Sequence, residues 1–214
     1  MSMLLLVRHA QASFGQQDYD VLSPQGERQA AVLGEALRAR GVTPALVVTG
    51  QLRRQRETAE IALAAAGLPV VLDVDAGFDE YDHEDLLTHA GPLPDGSFQQ
   101  SFEEAVTRWV RHRADGPYAQ SFPQFGTAVS DAVRRTTAAL ERGQTAVVVT
   151  SGGPIAWAVT QLLGGDGETW RRLNTVVVNT GISKIVVGRR GITLVSFNDH
   201  SHLDGPHAGL LSYR

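Results

Sequence analysis

The sequence has no cysteine, and Lys184 is its only lysine. Without cysteine there can be no disulfide, no thiolate metal site and no cysteine nucleophile. Long apolar runs are missing as well. The first stretch, Met1 to Val7, meets Arg8 and His9 after a few residues, too soon for a signal peptide or a membrane span. A cytoplasmic protein with no membrane partner is the simplest expectation. Neither sign of charge dominates: the net charge is -4, so no basic field points to nucleic acid. Hydrophobic residues make up 43% and charged residues 20% of the 214 positions, as in an ordinary globular chain able to bury one sizeable core. Arginine supplies nearly all the basic charge. It suits bidentate contact with phosphate, although base composition explains the total equally well.

Met3 to Val7 is a compact apolar run and reads as a buried strand. After a polar loop from Gln11 to Leu22, Ser23-Pro24 looks like a helix start, with Ser23 as N-cap. Ala30, Leu33, Ala36 and Leu37 follow at helical spacing until Arg40-Gly41. Further strands are expected over Ala45 to Thr49, Val70 to Val74 and Thr145 to Thr150. Ser183 to Val187 and Ile192 to Phe197 read as two more, joined in a hairpin at Arg189-Arg190-Gly191. Helices are expected over Leu52 to Ala66, Phe102 to Arg113, Ser121 to Arg142 and Gly152 to Leu163. Residues from about 75 to 125 break the rhythm, with loop chemistry at Gly91 to Gly96. They read as a cap or side lobe of one 1–214 domain. The alternation predicts an α/β three-layer sandwich, its mostly parallel sheet flanked by helices on both faces. Ligands of such sheets bind beyond the carboxyl ends of strands, where loops turn into helices.

Three strand ends carry anion-friendly residues. Arg8-His9-Ala10 follows the first strand; a neutral imidazole there can attack phosphorus while a guanidinium holds the oxygens. Leu52 to Ala59 holds Arg53, Arg54 and Arg56 at a helix start, where free amides also face an anion. A solvated helix face accounts for two of those arginines without function. Thr150-Ser151-Gly152-Gly153-Pro154 opens another helix with small residues that let backbone approach a ligand. An ordinary tight turn would look the same.

Leu6-Val7-Arg8-His9-Ala10 resembles the signature of the histidine phosphatase superfamily, on its phosphoglycerate mutase-like branch. Leu22 to Ala30, Leu52 to Ala59, and Phe197-Asn198-Asp199 with His202-Leu203 are similar to further motifs of that family, in the right order across nearly the whole chain. The resemblance implies a phosphatase with His9 as nucleophile and a transient phosphohistidine. It casts Arg8 and Arg54 as the phosphoryl clamp and Glu80 as the proton donor. Asp79, Asp82, Glu84 and Asp85 are rival acids. Gln11, Ser151 and Gly152 are the implied substrate-binding residues, and no metal or other cofactor is required. The sequence departs from the family at Ser151, where a second histidine is usual. A hydroxyl cannot supply an imidazolium charge, and the loss of one such donor costs on the order of 10²–10³ in rate.

Alternatives remain open at this stage. One is a weakly active or inactive protein that binds phosphorylated ligands; another is a phosphoglycerate mutase. A serine hydrolase using Ser151, Asp199 and His202 lacks the glycine of the nucleophile elbow, which is Val149 here. A metal site at His200 and His202 lacks a third ligand. The expected partner is a small phosphorylated substrate or inorganic phosphate. The late hairpin offers an edge through which a homodimer could form.

Overall fold

The computed structural model describes residues 1–13, 19–91, 97–112, 116–189 and 191–213. Its centre is one six-stranded sheet. The strands are β1 (Ser2–Arg8), β2 (Leu46–Thr49), β3 (Asp73–Val74), β4 (Thr145–Thr150), β5 (Ile182–Gly188) and β6 (Gly191–Asp199), in the spatial order β3-β2-β4-β1-β5-β6. The pairs β2–β3, β2–β4 and β1–β4 are parallel, whereas β1–β5 and β5–β6 are antiparallel. The sheet is therefore mixed, because the closing hairpin reverses its edge.

Successive side chains of a strand point to opposite faces, and here both faces are buried. Leu4 and Leu6 of β1 and Ala146 and Val148 of β4 enter one core, with Ala132 from α5 (Phe122–Ala138) and Ile155 and Val159 from α6 (Gly152–Leu163). Leu5, Val7, Val147 and Val149 face the other way. They meet Leu33 and Leu37 of α1 (Pro24–Ala39) and Ala59 and Ala62 of α2 (Arg53–Ala66). That arrangement is the expected three-layer sandwich. Ser23 caps α1 by accepting from the Gly26 amide at 3.0 Å.

The segment from residue 75 onward folds over the carboxyl ends of the parallel strands. It contains α3 (His83–His89) and α4 (Phe98–Arg111). Ser97 and Gln100 form a capping box that starts α4 four residues earlier than the apolar pattern suggested. The third strand is shorter than expected: Val70 and Val71 lie exposed, and only Asp73 and Val74 pair with β2. Residues 92–96, within the expected loop, lie outside the described residues. The aromatic groups form a core with Trp109 at its centre, flanked by Tyr81, Phe122, Phe125 and Trp170. Trp170 belongs to α7 (Gly167–Val176), so the lobe is packed onto the sandwich rather than set apart from it.

One half-buried histidine ties the chain's end to acid stability. His202 donates through Nε2 to Thr180 Oγ1 at 3.0 Å, since that hydroxyl gives its own proton to the Asn179 carbonyl at 2.7 Å. Its Nδ1 is buried with no partner among the described residues. Burial, helped by Arg40, lowers its pKa from 6.5 to about 4. A histidine depressed in the folded state favours folding fully above the unfolded pKa, and that contribution disappears as pH falls from 6.5 toward 4. Urea unfolding of wild type and His202→Gln at pH 7 and pH 4 should show wild type losing about 2–3 kcal/mol more over that interval. Equal losses would show that His202 is not the responsible group.

Candidate active site

β1 ends at Arg8, and His9 is fixed on either side by main-chain contacts. The His9 amide donates to the Thr150 carbonyl at 2.7 Å, and its own carbonyl accepts from Asn179 Nδ2 at 3.0 Å. The next amide, Ala10, donates to Thr58 Oγ1 at 2.9 Å, and Thr58 donates in turn to the Arg54 carbonyl at 2.6 Å. The imidazole and Arg54 are thus held in register by one threonine.

His9 Nδ1 lies 2.7 Å from the Ala10 carbonyl. A carbonyl only accepts, so Nδ1 carries the proton and Nε2 presents a lone pair. Arg54 Nε donates to that Nε2 at 3.2 Å. Burial, reinforced by Arg54 and then Arg8, lowers the His9 pKa well below 6.5. The ring is therefore neutral, with the Nε2 lone pair toward Arg54 and cations beside it.

Arg54 opens α2 and is 8% exposed. Its Nη1 meets Asp20 at 2.7 Å, and its guanidinium lies 5.3 Å from the Tyr19 ring centre. Its neighbours go elsewhere: Arg53 pairs with Glu57 at 2.7 Å and Arg56 donates to the Gln51 carbonyl at 2.9 Å. Arg8 Nη1 donates to the Tyr213 carbonyl at 2.8 Å and to the Val177 carbonyl. Arg8 Nε is buried without a hydrogen-bond partner among the described residues.

Glu80 approaches from the lobe. The Gly153 amide in the first turn of α6 reaches both carboxylate oxygens at 3.2 Å. A Cβ at residue 153 would sit 2.2 Å from Glu80 Oε1, so glycine is needed for that approach. Burial raises the Glu80 pKa above 4.5, against the opposing pull of the Gly153 amide, Arg54 and Arg8. Three of the four rival acids are occupied elsewhere. Asp79 accepts from the Gln51 amide at 2.5 Å, Asp82 caps α3, and Asp85 accepts from the Ala119 amide at 3.0 Å.

Arg8, His9, Arg54, Glu80 and Gly152 all line one cavity of about 440 Å³. Ser151 and Gln11 do not line it. Ser151 is wholly buried, and its hydroxyl accepts from Gln55 Nε2 at 2.8 Å. Gln11 spends its carboxamide oxygen on the Ser23 hydroxyl at 2.8 Å, at the start of α1. The substrate contacts expected of these two side chains are therefore not present in this arrangement; α6 offers Gly152 instead. The serine hydrolase arrangement is absent too. Ser151 meets Gln55, His202 meets Thr180, and Asp199 pairs with Arg40 at 3.0 Å.

Sequence reasoning missed several cavity residues: Tyr19, Asn174, Arg171 and Tyr213. Asn174 and Arg171 belong to α7, which has its own start signal in Asp166. That side chain accepts from the Thr169 amide at 3.0 Å.

A model of the histidine phosphatase superfamily (branch 1) matches residues 4–200. The chain belongs to that superfamily. A probable phosphoglycerate mutase GpmB of Klebsiella pneumoniae is 29% identical over 229 residues, spanning 96% of this chain and 97% of the relative. Among solved structures, Bacillus stearothermophilus YhfR superposes with a TM-score of 0.71 at 20% identity, covering 95% of this chain and 100% of that one. A mutant phosphoserine phosphatase of Entamoeba histolytica, solved with phosphoserine, gives 0.70 at 19% identity, covering 95% and 100%. These structures share the fold of this histidine phosphatase superfamily member.

Proposed function

We propose that the protein hydrolyses small phosphate monoesters through a phosphohistidine on His9. The observation that carries this reading is the neutral Nε2 of His9, facing Arg54 in the same cavity as Glu80. In the first step Nε2 attacks phosphorus and the bond to the ester oxygen breaks. Glu80 gives its proton to that oxygen, which leaves as an alcohol. In the second step the Glu80 carboxylate takes a proton from water as the water oxygen bonds to phosphorus. The phosphorus–nitrogen bond then breaks, releasing phosphate and free His9. Arg8 Nε, Arg54 and the backbone amide of Gly152 spread the phosphoryl charge, the main electrostatic task of such transfer. The phosphoserine bound to the Entamoeba histolytica neighbour supports a small phosphorylated substrate.

A second reading is a phospholigand-binding protein with little turnover. It is favoured by Ser151, whose hydroxyl is turned to Gln55 and adds no charge to the cavity. The name of the Klebsiella pneumoniae relative suggests phosphoglycerate mutase activity, which would require the phosphohistidine to be kept from water.

Rapid quenching during turnover of an aryl phosphate separates these readings. The phosphatase should carry one phosphate on His9, stable in alkali and lost in acid, together with steady release of inorganic phosphate. Turnover with no label on His9 would overturn the proposed mechanism. Phosphate binding with neither label nor turnover would establish the second reading, and conversion of 3-phosphoglycerate to its 2-isomer the mutase.

A further inference from the structure

The part of the cavity wall that α4 supplies differs in chemistry from the part that holds Arg8, His9 and Arg54. Phe102 and Val106 stand one turn apart on α4 and both line it. Trp109, Phe122 and Phe125 are sealed in the lobe core, but Phe102 is only partly buried, its ring stacked on Phe98 at 6.3 Å. An apolar wall is therefore left facing the cavity.

Charge beside that wall is balanced. Arg171 reaches the rim but is held by Glu168 through two contacts, at 3.1 and 3.2 Å. Glu168 also binds Arg172 at 3.0 Å. Glu103 adds a negative charge to the same rim and acts on Arg171. His83 packs its ring edge-on against Tyr19 at 5.9 Å. The two other lining arginines, Arg8 and Arg54, stand beside His9. A second anionic group on a substrate would thus meet an acid and an arginine already paired. The volume of about 440 Å³ lies within the roughly 300–1,000 Å³ of sites that enclose a drug-sized ligand.

We infer that the site prefers phosphate monoesters with a bulky, uncharged organic part that lays an apolar face on Phe102 and Val106, over esters such as phosphoglycerates that carry a second anion. The inference rests on the same site as the phosphatase reading, with phosphate held by Arg8 and Arg54. Recognition is divided between a charged floor that accepts any phosphoryl group and an apolar wall that selects the rest of the molecule.

Calorimetric titration with phosphonates tests this without turnover, because their phosphorus–carbon bond cannot be hydrolysed. Wild type should bind 4-phenylbutylphosphonate at least about tenfold more tightly than 3-phosphonopropionate, the effect of burying one ring face. Phe102→Ala should remove about tenfold from the first ligand and leave the second within about twofold. Glu103→Arg, at an exposed position, should tighten binding of 3-phosphonopropionate several-fold. Equal or tighter binding of 3-phosphonopropionate by wild type would overturn the inference. So would a Phe102→Ala loss shared equally by both ligands. A preserved preference in a protein that never labels His9 would instead sink the phosphatase reading and leave this one standing.

Discussion

His9→Ala is expected to lower kcat on a phosphate monoester by on the order of 10⁴-fold or more, because it removes the atom that bonds to phosphorus. The fold should survive. The ring contributes two contacts, to the Ala10 carbonyl and to Arg54 Nε, whereas the main chain around it is held independently by Thr150, Asn179 and Thr58. Phosphate should still bind, since Arg8 Nε and Arg54 remain. The wild-type pH profile should carry the signature of the same arrangement. His9 must be neutral to attack, and its pKa lies well below 6.5, so activity should persist into acid where a free imidazole would already be protonated. Glu80 must be protonated to donate, and its pKa is raised above 4.5, so activity should fall as pH rises through that raised pKa. The expected profile is a bell with its acid limb below 6.5 and its basic limb above 4.5. Activity that rises steadily through pH 8, or that survives unchanged in His9→Ala, would place the chemistry elsewhere.

Much of this site was legible because it depends on backbone position. A strand of alternating buried residues that ends in Arg8-His9 must deliver both to the carboxyl edge of the sheet. Thr145 to Thr150 delivers Gly152 and Gly153 to the same edge by the same logic. Arg54 could be placed only by resemblance, since Arg53, Arg54 and Arg56 look alike in sequence. In the fold, Arg53 and Arg56 find partners on their own helix surface, and only Arg54 turns inward. What was not legible depends on long-range side-chain choices. Nothing near Ser151 in sequence shows that Gln55, 96 residues away, will claim its hydroxyl. Nothing near Gln11 shows that Ser23 will use its carboxamide before any substrate can. The third strand is short for all its strand propensity: Val70 and Val71 lie exposed, and only Asp73 and Val74 pair with β2. The helix at 167–176 went unread, and with it Asn174 and Arg171.

Arg54→Ala should cost about 10³-fold in kcat, second only to loss of the nucleophile. Its guanidinium already touches His9 Nε2 at 3.2 Å, so a phosphoryl group entering between them is met by charge as it is transferred. The Coulomb energy grows as charge spreads onto the equatorial oxygens, which is why kcat should suffer more than KM. The same substitution removes the 2.7 Å ion pair between Asp20 and the guanidinium and leaves that acid's charge less compensated near the site. It also relieves part of the depression of the His9 pKa, moving the acid limb of the profile upward toward 6.5. Arg54→Lys separates these contributions. An ammonium restores the charge, so the limb should return toward its wild-type position. It cannot reach His9, Asp20 and a phosphoryl oxygen together from one planar group, so kcat should recover only in part. If lysine restores kcat completely, bulk charge is sufficient and the fork geometry is not needed. If neither variant moves the acid limb, Arg54 is not what keeps His9 neutral, and burial together with Arg8 must account for it.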